Sequence, residues 1–135
     1  MVKQWYLQNM AILRRVFGKV DFDEDSFRWV ILHSFSLPPF YHQRKTVLLI
    51  ETPGPHINNP KAFNFYADKG LSRSDMTVFE HIYEDSRYNH YSDYGLARLS
   101  LHLEIFQPSS DVISGDTLLD VTQNVYNFFA LRKGL

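Results

Sequence analysis

The residues with the most chemical potential fall in one polar and aromatic stretch, where Glu80, His81, Glu84, His90 and Asp93 bring carboxylates and imidazoles close together in the chain. Each is a competent metal ligand or proton-transfer group. Their spacing speaks against a metal, because no two of the histidines fall at i, i+4 on one helical face and a closed site needs three or four convergent donors. No metal and no other cofactor is expected. His90, or His81 in its place, is the candidate general base, since imidazole exchanges protons near neutral pH, with Asp93 and Arg98 as candidate helpers. The chain has 6 His but no Cys, which removes thiolate nucleophiles, thioester intermediates, CxxC redox pairs and Cys-ligated zinc or iron–sulfur clusters. No G-x-S-x-G elbow surrounds a serine, and the 6 Gly are scattered too singly for a dinucleotide or P-loop phosphate cradle.

The same stretch interleaves arginine with tyrosine. Stacked tyrosines and clamping arginines suit single-stranded nucleic acid, but Asp75, Glu80, Glu84, Asp85 and Asp93 cancel the local field. The whole chain carries 14 Lys+Arg against 15 Asp+Glu, a formal net charge of -1, so phosphate neutralisation is not its business and no nucleic-acid partner is expected. Tyrosine and arginine are also the residues enriched at protein interfaces. Arg87, Tyr88, Tyr91 and Tyr94 are therefore candidate binding residues for a protein. A second contact surface is expected on the stiff loop from Pro53 to Pro60, through Pro55 and Pro60, because proline fixes φ and donates no hydrogen bond.

The elements that position these residues are legible from periodicity. Tyr6, Met10, Leu13 and Phe17 recur at helical steps, so Lys3 to Phe17 reads as an amphipathic helix ended by Gly18. Its charges Lys3, Arg14 and Arg15 set it apart from a secretory signal. From Phe27 to Leu37 the residues Phe27, Trp29, Ile31, Phe35 and Leu37 share one parity, which predicts a strand with one aromatic face; His33, the polar interruption, reads as a satisfied core or edge histidine. Lys45 to Thr52, with Val47 to Ile50 continuously apolar, reads as a central strand pairing with it in a hairpin. Phe63 and Phe65 mark a third strand, and a short helix is expected around Ser74 to Tyr83. Ala97, Leu99, Leu101, Leu103 and Ile105 alternate with polar residues, His102 among them, predicting a half-exposed strand over Ala97–Ile105. Asp116 is the expected N-cap of a last helix whose buried stripe is Leu118, Val121, Val125, Phe128 and Leu131. The expectation is one α+β domain over residues 1–135: an N-terminal helix, an antiparallel meander of about four strands, a long loop and a C-terminal helix. No run approaches the ~18 apolar residues of a membrane span, so no membrane contact is expected and a cytoplasmic location is the default.

Several of these residues fall in a familiar order. Phe27-Arg28-Trp29, Pro39-Phe40-Tyr41, the Val47–Ile50 run ending at Pro53, Pro60-Lys61-Ala62-Phe63-Asn64-Phe65, then Gly95, Phe106-Gln107-Pro108 and the closing helix resemble the core of the ubiquitin-conjugating (UBC) fold over Phe27 to Phe129. Leu-Pro-Pro and Gly-Asp-Thr-Leu-Leu are similar to segments of bacterial members. The sequence departs from that family at its chemistry. Where the family keeps its catalytic cysteine this chain reads Leu96-Ala97-Arg98-Leu99, with Arg98 nearest that position, and the His-Pro-Asn triplet is absent, Tyr88-Asn89-His90 lying out of register. Thioester conjugation is excluded. The resemblance therefore implies a cysteine-less, non-catalytic UBC-like or RWD-like domain, binding a ubiquitin-like protein or a subunit of a complex. Two other readings compete: a non-covalent histidine enzyme built on the 80–98 loop, and a structural assembly subunit, which predicts self-association into a homo-oligomer.

Overall fold

Helix α1 (Val2–Phe17) forms where the 3.6-residue period places Trp5, Tyr6, Asn9, Met10 and Leu13 on one buried stripe. In the computed structural model, which describes residues 2–75, 82–85, 87 and 89–131, this helix is followed by β1 (Val20–Phe22), β2 (Trp29–Ser36), β3 (Lys45–Glu51), β4 (Asn64–Asp68), β5 (Ile82–Tyr83), β6 (Leu96–Leu99) and α2 (Leu118–Ala130). The fold is α+β, as the periodicities require. The sheet has six strands where about four were expected, in the order β1-β2-β3-β4-β6-β5, with every neighbouring pair antiparallel.

Strand pairing sorts the sheet into two faces. Val30, Ile50, Phe65 and Leu99 lie in one cross-strand row, and Leu32, Leu48 and Ala67 in another; these residues are buried and join the core built with both helices. The alternate row, Ile31, Leu49, Tyr66, Arg98 and Tyr83, points away from that core. The predicted aromatic face of β2 is corrected by this register. Val30 and Leu32 face inward while Trp29 and Ile31 face outward, and a register shift between Leu32 and Phe35 then returns Phe35 to the core. A bulge of this kind flips parity midway along a strand, which strict alternation cannot foresee. Phe27 stands outside the strand with φ 56°, its ring stacked 5.1 Å from Tyr6. A positive φ is strained for a bulky residue, and the stacking holds it there. His33, read as a core or edge histidine, is instead exposed on β2, an inner strand of the sheet, 2.7 Å from the Asp21 carboxylate on β1.

Further expectations change. The predicted strand over Ala97–Ile105 ends at Leu99, where its pairing with β4 and β5 among the described residues also ends. Leu103 is still buried and Ile105 is exposed. The short helix expected around Ser74 to Tyr83 falls partly on residues 76–81, outside the described residues; Ile82 and Tyr83 form a strand. The N-cap of α2 is Thr117, one residue after the expected Asp116, with a reciprocal capping box to Asp120. Asp116 instead closes the preceding loop, its carboxylate accepting from Gln107 N at 2.8 Å. Leu131, placed on the buried stripe, is past the helix end and exposed, while Phe129 takes the core position.

Two buried polar residues tie the termini of the fold together. Asn9 on α1 donates to the Trp5 carbonyl and accepts from Leu118 N at 2.7 Å, satisfying a donor at the start of α2. Arg73, 4% exposed, donates to the Tyr41 hydroxyl and to the carbonyls of Phe129 and Leu131 at the far end of α2. Its guanidinium also sits 5.2 Å from the Phe40 ring centroid. A cation at a helix C-terminus is favoured by the backbone dipole as well as by these bonds. Asn9→Ala leaves the Leu118 amide buried without its acceptor and is expected to cost about 1–3 kcal/mol, whereas Asn124→Ala on the exposed side of α2 is expected to cost under ~0.5 kcal/mol. Urea denaturation of the two variants checks the contrast.

Candidate functional site

The outward face of the sheet is where the sequence's suspect residues and several unsuspected ones meet. Glu51 ends β3 and pairs with Trp29 on β2 and Asn64 on β4, so all three side chains stand in one row on this face. The Glu51 carboxylate is the node. Its Oε1 accepts from the Tyr66 hydroxyl at 3.0 Å. Its Oε2 accepts from the Tyr91 hydroxyl at 3.0 Å and lies 3.3 Å from His90 Nε2. Tyr66 and Tyr91 meet edge to face with centroids 4.7 Å apart, a favoured arrangement of ring quadrupoles.

Tyr91 and His90 reach this position because their loop is fastened at its base. Asn89, 1% exposed, donates to the carbonyls of Leu96 and Tyr83 and accepts from Tyr91 N at 3.0 Å. A side-chain amide that satisfies three backbone groups substitutes for secondary structure in an irregular segment. Ser92–Tyr94 then make one 3-10 turn, ended by Gly95 at φ 77°, a left-handed conformation that glycine adopts without strain. The turn leaves Tyr94 78% exposed. Lys69 Nζ donates to Ser92 Oγ at 2.7 Å, and Ser92 Oγ to the Glu84 carbonyl at 2.8 Å, which anchors the other side.

Beside the node is a cleft of about 230 Å³, lined by Trp29, Ile31, Leu49, Tyr91, Tyr94 and Leu96. Its lining is almost wholly apolar. None of these six belongs to the core cluster that the helices bury, so the cleft is a separate apolar feature on the opposite side of the sheet. A larger cleft of about 690 Å³ lies elsewhere, between the start of α1, the proline loop and Pro108 to Ser110.

Of the residues singled out by sequence, Tyr91, Tyr94 and His90 gather on this face. Arg98 shares it, but its guanidinium donates to Asn64 Oδ1 at 3.2 Å and does not line the cleft. Asp93 is exposed and makes no hydrogen bond or ion pair among the described residues. The trio proposed for proton transfer is thus not assembled: His90 finds Glu51 in place of Asp93, with its own side chain 64% exposed. Arg87 is exposed beside the loop, its amide bonded to Asp85. Tyr88, His81 and Glu80 lie outside the described residues. Pro55 is exposed and lines the larger cleft, while Pro60 opens a 3-10 turn capped by Asn59; neither adjoins the Glu51 node. Sequence reasoning missed Glu51, Tyr66, Asn89 and the outward turn of Trp29. Glu51 and Tyr66 had a signal, being polar or amphipathic positions inside otherwise apolar strands. Among the described residues, no group of three or more His, Asp or Glu is placed to hold a metal ion, and no helix is long and apolar enough to cross a membrane.

Comparison with protein-family models, curated proteins and solved structures finds no match to this chain.

The node also sets the ionisation of its phenols. Burial, then the hydrogen bond to Glu51 and its negative charge, pushes Tyr91 up to about 12. Tyr66 is raised further by burial, the Glu51 charge and the hydrogen bond to it. A raised phenol pKa means that folding favours the neutral form. The stabilisation is complete below the ordinary tyrosine value near 10 and is lost as pH rises from there through about 12. Spectrophotometric titration is expected to show late ionisation of four described tyrosines, Tyr66 and Tyr91 together with Tyr6 and Tyr41, which burial raises in the core, and Glu51→Gln is expected to move only Tyr66 and Tyr91 toward lower pH.

Proposed function

We propose that this chain is a non-catalytic, ubiquitin-conjugating-like domain of the cytoplasm that binds a protein partner, a ubiquitin-like protein or a subunit of a larger complex, through the outer face of its sheet. The observation that carries the reading is the apolar cleft between Trp29, Tyr91 and Tyr94 on the face that neither helix covers. Aromatic side chains set in a shallow apolar depression with polar surroundings have the make-up of an interface hot spot. Tyr94 is the natural first contact because it is largely exposed yet held by a capped turn.

The scaffold half of the proposal is supported by the element order. A helix comes first, β1 to β4 follow as successive antiparallel neighbours, and a helix closes the described chain. The non-catalytic half is supported by the absence of cysteine from the sequence and by the open setting of His90. A general base works best where water is excluded and its partner is fixed. His90 meets Glu51 at the protein surface, and that carboxylate is already bonded by two phenols.

Capture from native lysate, with a photo-crosslinker at position 94 and mass spectrometry of the products, tests the reading. Tyr94→Ala is expected to lower partner capture by about thirtyfold, the loss of a ~2 kcal/mol hot spot, while leaving the melting temperature unchanged. Full capture by Tyr94→Ala and Trp29→Ala would sink the assignment of this face. If light scattering shows a stable dimer that Tyr94→Ala dissolves, the partner is a second copy of the chain and the assembly-subunit reading replaces it.

A further inference from the structure

The composition of the outer-face cleft narrows what its partner presents. β2 supplies Trp29 and Ile31, β3 supplies Leu49, and the capped loop supplies Tyr91 and Tyr94, whose ring centroids are 6.2 Å apart. Trp29 makes no ring contact with either tyrosine among the described residues, so the space between β2 and the loop is open to an occupant. Three of the six lining residues are aromatic, and aromatic faces attract cations.

A negative charge stands beside these rings. Glu51 is the cross-strand partner of Trp29 and accepts from the Tyr91 hydroxyl. A phenol that donates to a carboxylate has a more electron-rich ring, which deepens the attraction of its face for positive charge. Of the basic side chains near Glu51, Arg98 bonds Asn64 on β4 and His90 packs against the Tyr66 and Tyr91 rings; neither lines the cleft. Glu51 does not itself line the cleft, so it offers an occupant no acceptor, and its charge acts there through the Tyr91 phenol that it holds.

The near absence of polar lining decides which cation fits. A primary ammonium entering the cleft loses its water and finds few acceptors for its three N–H donors. A quaternary ammonium has no donors to satisfy, matches an apolar wall with its methyl groups, and keeps its charge for the rings and Glu51. Size decides how it is delivered. At about 230 Å³ the cleft is smaller than the ~300–1,000 Å³ sites that enclose a free small molecule. It holds the end of one side chain, with the remainder of the ligand outside.

We propose that this cleft receives a trimethylated lysine of the partner protein, its quaternary ammonium seated among Trp29, Tyr91 and Tyr94 beside the Glu51 charge. The inference rests on the reading of this face as a protein-binding surface. A short glycine-flanked peptide carrying trimethyl-lysine, titrated into the full chain and followed calorimetrically, tests it against the same peptide with unmodified lysine, with the neutral tert-butyl carbon isostere, and against free choline. The trimethyl-lysine peptide is expected to bind about tenfold tighter than the tert-butyl isostere, and tighter than unmodified lysine or choline. Glu51→Gln is expected to shrink the advantage over the isostere severalfold, and Tyr94→Ala to remove binding without moving the melting temperature. Equal binding of the tert-butyl peptide would overturn the cation and leave an ordinary apolar pocket, with the protein-binding reading intact. Choline binding as tightly as the peptide would overturn the protein source. No binding of any peptide, alongside partner capture that still depends on Tyr94, would overturn the trimethyl-lysine inference alone.

Discussion

A single carboxylate organises the outer surface of this domain. Glu51 stands where β3 ends, and by accepting from Tyr66 on β4 and Tyr91 on the following loop it joins a strand to a segment forty residues later in sequence. The interaction is stronger than its neutral counterparts because the acceptor is charged and partly shielded from water. Once it is in place, the positions of His90, Tyr91 and Tyr94 follow from the loop's own staples, and the cleft beside Trp29 acquires its second wall. Without it, the loop keeps its ties to Leu96, Tyr83 and Lys69 but loses the hydrogen bond that joins Tyr91 to β3.

That arrangement is affordable because the core lies wholly on the other side. Both helices pack against the inward rows of the sheet, where Phe65, Ile50, Leu48 and Val30 are completely buried. An antiparallel sheet with one buried face leaves the other free to carry polar and aromatic groups selected for contact with something else. The outer row runs from Asp21 through Ile31, Leu49 and Tyr66 to Arg98 and Tyr83. Its mixture of aliphatic, aromatic and charged side chains is unlike either a core or an ordinary solvated surface.

The helices and the central hairpin were legible because periodicity reports burial, and Tyr6, Met10, Leu13, Val121 and Val125 are buried for the reason their spacing announces. β2 shows the limit. Its odd-numbered aromatics look like the core face, yet one register shift after Leu32 exchanges the faces, and the only local trace is the polar pair His33-Ser34 inside an apolar run. The end of β6 at Leu99 is likewise invisible locally, since a strand's length is set by its neighbours and not by its own alternation. Half of the site was readable: the tyrosines of the loop declare themselves by composition. Glu51 and Tyr66 show only as polar or amphipathic positions in apolar strands, and Asn89 shows less still, because their roles come from strand pairing and loop closure over long separations.

The Arg73 contact carries a consequence for the order in which the molecule assembles. Its guanidinium and the Tyr41 hydroxyl both seize the last carbonyls of α2, groups 56 and 88 residues further along the chain. During synthesis the first two thirds of the sheet leaves the ribosome long before those carbonyls exist. Until they arrive, the inner face of β2, β3 and β4 has only α1 to cover it, and a cation buried at 4% exposure in the finished fold stays in water. Docking of the final helix is thus the step that closes the core and desolvates that charge together, so the domain has a long period of vulnerability to aggregation followed by one cooperative closing event.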